Sequence, residues 1–216
     1  MFLKKDIEKD IYRKRSKIAV EALKKNEFDA FYVDNSEEAL NRIIALIPDN
    51  ATIGIGGSVT IREIGLAEIL QKKDYVIFTD WDDPLSKAEK MGIRKAALNS
   101  DVYLTSSNAI TLKGQLVNID GTGNRVAAMI FGPKKVIIVA GVNKIVDNLD
   151  EAFARIRNIA GPLNGKRLNL NTPCALTGRC TDCQNPQRMC KVSVIIEKKP
   201  NLSDITVIII GESLGY

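Results

Sequence analysis

The segments KVIIVA (135–140) and ITVIII (205–210) are apolar at nearly every position, and nothing else in the chain limits the fold so firmly. A strand with one wet face alternates apolar and polar residues, whereas an unbroken apolar run needs cover on both faces. Shorter runs of strand character lie at FDAFYV (28–33), ATIGI (51–55), YVIF (75–78), DVYLTS (101–106) and VSVII (192–196). Segments of helical period fall between them. The first has a broken stripe of Ile7, Ile11, Ile18, Ala22 and Leu23, and the second, 37–47, has Ser36 as its expected cap and stops at Pro48. Others cover 61–73, 84–98 (with Asp83 as cap and Pro84 at the first position), 125–131 and 149–160. This alternation predicts an α/β fold: a mostly parallel sheet with helices on both faces, including strands near 51–55, 75–78, 101–105, 136–140, 192–196 and 205–210. AITL and QLVNI around Lys113-Gly114 read as a β-hairpin.

At 216 residues the chain is expected to form a single domain over 1–216, with an N-terminal helix at 4–25 and a cysteine-rich loop at 172–191. No run approaches the ~18 apolar residues of a membrane span. The opening MFLKKDIEKDIYRKR is charged throughout, unlike a secretory leader, so a cytoplasmic location is expected. The net charge of +5 is a weak argument for nucleic acid. The densest basic cluster, Lys4 to Lys17, alternates with Asp6, Glu8 and Asp10 and has no aromatic stacking platform. It reads as a solvated helix face, and the charge suits anionic metabolites at least as well. The chain has no histidine, which excludes Ser-His-Asp and Cys-His catalysis and every histidine metal site.

Three loops follow strands, where open α/β sheets bind ligands. Gly54-Ile55-Gly56-Gly57-Ser58-Val59-Thr60 runs through glycines into a helix, so Gly56, Gly57, Ser58 and Thr60 can meet a phosphate or carboxylate. It matches neither the dinucleotide fingerprint nor a P-loop. Thr60 and Glu63 also have capping-box spacing, which competes with a catalytic role for Glu63. The second loop carries Asp120, Gly121, Gly123, Asn124 and Arg125; a cation at a helix start is disfavoured unless it holds an anion or pairs with Asp120. The third carries Asn143 and Lys144. Asn108, after another strand, adds a polar group, and Trp81 is placed to cover the site.

All four cysteines, Cys174, Cys180, Cys183 and Cys190, fall within seventeen residues in the pattern C-x5-C-x2-C-x6-C. Four thiols this dense suit a metal centre, while a thiol-redox set and two disulfides are the alternatives. The pattern has only one of the two short knuckles usual for structural zinc, and it does not match the bacterial ferredoxin run. Arg179, Arg188 and Lys191 offset thiolate charge and tilt the expectation toward an iron–sulfur cluster, with zinc as the alternative. Gly178 is expected to let the backbone pass closely beside Cys180.

The segments GIGGSVTIREIG, SSNAITLKGQLVNIDGTGNRVAAMIFGPKKVIIVAGVNKIV, PCALTGRCTDCQNPQRMC and GESLGY together resemble the lactate utilization protein C-like, or LUD-domain, family over about residues 10–216. The resemblance implies a fold similar to the ribose-5-phosphate isomerase, glucosamine-6-phosphate deaminase and CoA-transferase group, whose ligands sit over glycine-rich loops. It maps the family's loops onto Gly56, Gly57, Ser58 and Thr60, onto Asp120, Gly121, Gly123, Asn124 and Arg125, and onto Asn143 and Lys144. Bacterial lactate utilization proteins jointly oxidise L-lactate to pyruvate alongside iron–sulfur subunits. The C-like subunit lacks a late four-cysteine block; a stand-alone subset carries one, as this chain does.

These features lead to an expectation of a cytoplasmic metabolic or redox protein acting on a small carboxylate or phosphorylated metabolite, with Asp120 or Glu63 for proton transfer and Lys144 as electrophile or proton donor. A redox protein is an expected partner. The alternative is a non-catalytic ligand-binding or electron-relay protein with a structural zinc or iron–sulfur site.

Overall fold

The computed structural model describes residues 4–81 and 84–216. The strands are β1 (Asp29–Val33), β2 (Thr52–Ile55), β3 (Val76–Phe78), β4 (Val102–Thr105), β5 (Ala109–Thr111), β6 (Leu116–Asp120), β7 (Lys135–Gly141), β8 (Ile145–Val146), β9 (Val192–Ile196) and β10 (Asp204–Ile210). The helices are α1 (Lys4–Lys25), α2 (Ser36–Leu46), α3 (Val59–Glu63), α4 (Leu66–Gln71), α5 (Lys87–Leu98), α6 (Asn124–Ile130), α7 (Leu149–Arg155), α8 (Gly161–Arg167) and α9 (Pro173–Thr177).

Six strands form a parallel sheet in the order β1-β10-β7-β4-β2-β3. The apolar runs behave as their composition requires. Along β7, Val136, Ile138 and Ala140 enter one core with Ala19, Val20 and Leu23 of α1 and Met129 of α6. Ile137 and Val139 enter the other, with Ile43 of α2 and Leu66 and Leu70 of α4. β10 divides the same way, with Val207 and Ile209 on one side and Ile208 and Ile210 on the other. Each fully buried Ile or Leu contributes roughly 1.5–3 kcal/mol of transfer free energy, which is why the helices must cover both faces. The α/β class and its two-sided cover are as the alternation predicts.

A second, four-stranded sheet in the order β8-β5-β6-β9 stands beside the first. The expected hairpin is its centre: β5 and β6 pair antiparallel, and Gly114 in the turn has φ +76°. VSVII also belongs here, as β9 antiparallel to β6, and not in the parallel sheet. Its run is apolar, yet Val192 and Ile195 are exposed at the sheet edge. Four apolar residues in a run of five cannot by themselves distinguish a central strand from an edge.

Several local expectations shift. The buried side of α1 is Ser16, Ala19, Val20 and Leu23, while Ile7, Ile11 and Ile18 face solvent. Asn35, not Ser36, caps α2, and the Ser36 hydroxyl donates to Glu212 instead. Asp83 lies outside the described residues, and the helix expected from Pro84 begins at Lys87 behind a Ser86–Glu89 capping box. Ser58 caps α3 by accepting from the Ile61 amide, so no Thr60–Glu63 capping box forms. The helix expected to end at Ala160 continues through a π turn at Ile156–Ala160 into α8. The Gly161 amide reaches back to the Ile156 carbonyl, and this wider turn admits Pro162, which has no amide hydrogen to give. Gly178 ends α9 in the left-handed conformation with open space around its Cα, so it makes no close backbone approach. Basic residues of α1 pair as Lys14–Asp10, Lys24–Glu21 and Arg13–Asp34, in keeping with a solvated face. Among the described residues no helix is long and apolar enough to cross a membrane.

Candidate functional site

In the parallel sheet β2 and β4 are neighbours, but the chain leaves β2 toward the β3 edge and leaves β4 toward β7. Their connections diverge, so a crevice opens beyond their carboxyl ends. A cavity of about 440 Å³ lies there. Gly57 and Ser58 after β2, Ser106 to Asn108 after β4, Asp120 at the end of β6 with Gly121, Thr122, Asn124 and Arg125 beyond it, and Lys144 after β7 all face it. The three loops singled out in the sequence therefore meet in one place.

Lys144 is buried in this wall, 3% exposed. Its Nζ donates to Thr60 Oγ1 and Ser106 Oγ, each at 2.8 Å. Among the described residues no carboxylate comes within ion-pair distance of it. Burial, reinforced by the Arg155 and Arg125 guanidiniums against a weaker pull from Glu63, lowers its pKa from the usual lysine value to about 7. The ammonium and free-amine forms are thus both accessible near neutrality.

The arginines do a different job. Arg125 donates through Nη1 to the Ser106 carbonyl and Asn118 Oδ1, and through Nη2 to Asn108 Oδ1 and the Ile119 carbonyl. Its Nε faces Asp120 Oδ1 at 3.9 Å. Its four terminal N–H groups are committed to protein oxygens, so it ties the loop after β4 to β6 and supplies charge to the cavity more than a binding fork. Burial lowers its pKa. Arg155, at the end of α7, donates to the Asn143 and Asn108 carbonyls at 2.9 and 2.6 Å, and burial lowers its pKa to about 10. Between them the two guanidiniums fasten the loops after β4 and β7.

On the outer wall Arg94 pairs with Asp80 at 2.8 Å and reaches Thr122 Oγ1. The Trp81 ring lines the cavity with Arg62 stacked 4.4 Å from its centroid. Arg62, Lys90, Arg94, Arg125, Lys144 and Arg167 make six cationic residues around the cavity against two carboxylates, Asp80 and Asp120, among the described residues.

The sequence-derived candidates divide by position. Gly57, Ser58, Asn108, Asp120, Gly121, Asn124, Arg125 and Lys144 line the cavity. Gly56, Thr60, Glu63, Gly123 and Asn143 stand behind it. Thr60 holds Lys144, and Gly123, at φ +90°, turns the chain into α6. A Cβ at Gly56 would stand 2.9 Å from the Tyr103 hydroxyl. Glu63 accepts from the Gly215 amide, and Asn143 donates to the Gly215 carbonyl, so these two hold the C-terminal segment against the site. Sequence reasoning missed Arg94, Asp80, Arg155, Arg167 and Tyr216. Only the adjacency of Asp80 to Trp81 was a local signal for any of them.

The four thiols share a separate pocket of about 50 Å³. None is disulfide-bonded. Arg188 orders their loop by donating to the Cys190 and Cys183 carbonyls and pairing with Asp182 at 2.8 Å. Burial and the three other thiols raise the Cys190 pKa. The donor set suits an all-thiolate centre chemically, with positive charge beside it. Among the described residues, however, no three Cys, Asp or Glu side chains are gathered closely enough to hold a metal ion. Ile119, Met189 and Cys190 line both the thiol pocket and the large cavity, so one wall separates the two sites.

The family model of the LUD domain matches residues 16–210. The chain belongs to the LUD-domain family. For this LUD-domain protein the likeness to solved structures extends to a crystal structure of a DUF162 family protein from Deinococcus radiodurans. The two agree with a TM-score of 0.54 at 14% identity, over 92% of this chain and 98% of the other. Identity that low speaks to the fold alone. No curated protein matches the chain.

Proposed function

We propose that this LUD-domain protein binds and transforms a small carboxylate or phosphorylated metabolite in the switch-point cavity, as a cytoplasmic metabolic or redox protein linked to lactate utilization. The observation that carries this reading is the excess of six basic residues over two carboxylates, among the described residues, around one 440 Å³ cavity. Such a cavity concentrates anions and strengthens their binding where water is excluded. The Ser58 hydroxyl accepts the α3 cap bond and keeps its own proton for a ligand oxygen. Gly57 has open space at its Cα, which lets a ligand reach the backbone. Lys144, near its midpoint at neutral pH, is suited to give a proton to a developing oxyanion or to take one back. Asp120 is the carboxylate in the cavity available for the complementary transfer.

An iron–sulfur cluster on Cys174, Cys180, Cys183 and Cys190 would supply electron transfer or Lewis acidity, while zinc would supply a closed staple. Support for a centre here is the common thiol pocket and its shared wall with the cavity. A redox protein partner belongs to the cluster reading. The test is calorimetric titration of anaerobically purified protein with L-lactate and with inorganic phosphate, repeated for Arg94→Gln. Saturable binding that weakens about tenfold in the variant, ~1.4 kcal/mol, is expected. Absence of binding for both L-lactate and phosphate would overturn the reading. A colourless protein with one zinc per chain would favour the non-catalytic alternative.

A further inference from the structure

Buried cations in this site fall into two kinds, and the difference lies in their partners. Arg125 and Arg155 donate largely to carbonyl oxygens, which only accept and therefore suit a permanently charged donor. Lys144 donates to two hydroxyls, Thr60 Oγ1 and Ser106 Oγ. A hydroxyl can accept from an ammonium or donate to a neutral amine, so this pair serves the lysine in either state. A lysine kept only for structure would be expected to have a carboxylate beside it, since a buried unpaired ammonium is costly. None is in reach among the described residues, although Asp120 shares the cavity.

We propose that Lys144 is a Schiff-base nucleophile and that the cavity's ligand class is a carbonyl compound carrying an anionic group, such as a 2-oxo carboxylate. This rests on the anion-binding reading of the cavity. The free amine adds to the carbonyl carbon. The carbonyl oxygen departs as water with the two amine protons, and a C=N bond replaces C=O. No oxidant or reductant is consumed. Thr60 and Ser106 hold Nζ in the wall and relay protons between nitrogen and the departing oxygen, Ser106 itself facing the cavity. Lys90, whose side-chain ammonium has no hydrogen-bond or ion-pair partner among the described residues, lines the same cavity and is placed to take the ligand's anionic group. Depression of the lysine pKa by burial and by Arg155 and Arg125, against Glu63, provides the free amine near neutrality.

The experiment treats the full chain with pyruvate and sodium borohydride, reads the intact mass and maps the modified peptide. The expected product is one adduct per chain, heavier by pyruvic acid less one oxygen, on Lys144. Its yield should fall at least tenfold in Lys144→Arg, and with acetone in place of pyruvate. Trapping should rise with pH through about 7, where the amine loses its proton. Adducts spread over surface lysines with Lys144 unmodified would overturn the proposal, and so would no adduct at all. Mapping on the parent chain decides the matter even if Lys144→Arg fails to fold. L-lactate, which has no ketone carbonyl to form an imine, separates the two ideas in a parallel titration. Lactate binding without trapping removes the Schiff base and leaves the anion site standing, while neither binding nor trapping removes both.

Discussion

Lys144 carries a cost that depends on pH. Its folded pKa of about 7 lies below the value of ~10.4 expected in the unfolded chain. Between those values the unfolded state binds more protons than the folded state, so stability rises with pH across that window. Below it the folded protein bears the full burden of a buried ammonium, on the order of a few kcal/mol. Lys144→Met is therefore expected to stabilise the fold at about pH 6, less about 1 kcal/mol for each hydroxyl left without a partner. The gain should shrink as pH approaches ~10. Urea unfolding at both ends of the range checks this, and an equal gain at both would show that the lysine is not depressed. Lys144 was legible in the sequence because it stands in a loop after the most apolar strand of its region. Arg155 was not, since a charge in an amphipathic helix looks like a solvent-facing residue. Only the packing of α7 against β5 and β6 turns it inward. Arg125 was legible as an oddity at a helix start, but its partners were not. Two of them, the Ser106 carbonyl and Asn108 Oδ1 on the loop after β4, lie 19 and 17 residues back and reach it only through the fold.

Glycine shows how differently the elements weigh one residue type. Gly114 sits at φ +76° in the β5–β6 turn, and a Cβ there would meet the Ala22 backbone of α1 at 2.5 Å. Asn26, just past α1, donates to the Lys113 and Gly114 carbonyls, so the hairpin turn and the helix end are joined. Gly92 is interior to α5, and a Cβ there meets nothing within 4 Å. Gly114→Ala is expected to destabilise by more than ~1 kcal/mol, through both strain and overlap. Gly92→Ala should stabilise by roughly 0.5–1 kcal/mol by reducing unfolded-chain entropy. Thermal unfolding of the two variants should shift in opposite directions. Capping gives a third case: Ser58→Ala should cost about 1 kcal/mol, because the Ile61 amide loses its acceptor. Existence and type of the central elements followed from their apolar patterning, as with the unbroken runs of β7 and β10. Their ends did not, because Ser, Thr, Asn and Asp are near-equal caps and two or three commonly stand together. The choice between Asn35 and Ser36 is settled by Glu212, which arrives from 176 residues away to take the Ser36 hydroxyl.

At the scale of the molecule, function depends on strand order, which local sequence does not encode. Glycine-rich loops after β2, β6 and β7 were visible one at a time. Their meeting follows from β4 lying between β2 and β7, so that the crossovers part over the cavity. The thiol block was legible only as a cysteine-rich loop at 172–191; in the fold α9 packs on α8, and the chain beyond the block returns as β9 beside β6. That return carries Met189 and Cys190 into the wall between the thiol pocket and the cavity. Ligation of the thiols would add to the hold that Arg188, and Asn185 and Gln187 on Asn171, have on this loop, and so fix one wall of the cavity. Binding at either site should consequently change affinity at the other by the same factor, since such coupling is reciprocal. The expected outcome has two parts. Anaerobic reconstitution with iron and sulfide should load the parent chain but not Cys183→Ser, as read by metal content and visible absorption. The loaded chain should also bind a small carboxylate with an affinity at least several-fold different from that of the unloaded chain. Equal metal content in the two proteins would remove the proposed centre. Loading without a change in carboxylate affinity would show that the shared wall transmits nothing and that the two sites act independently.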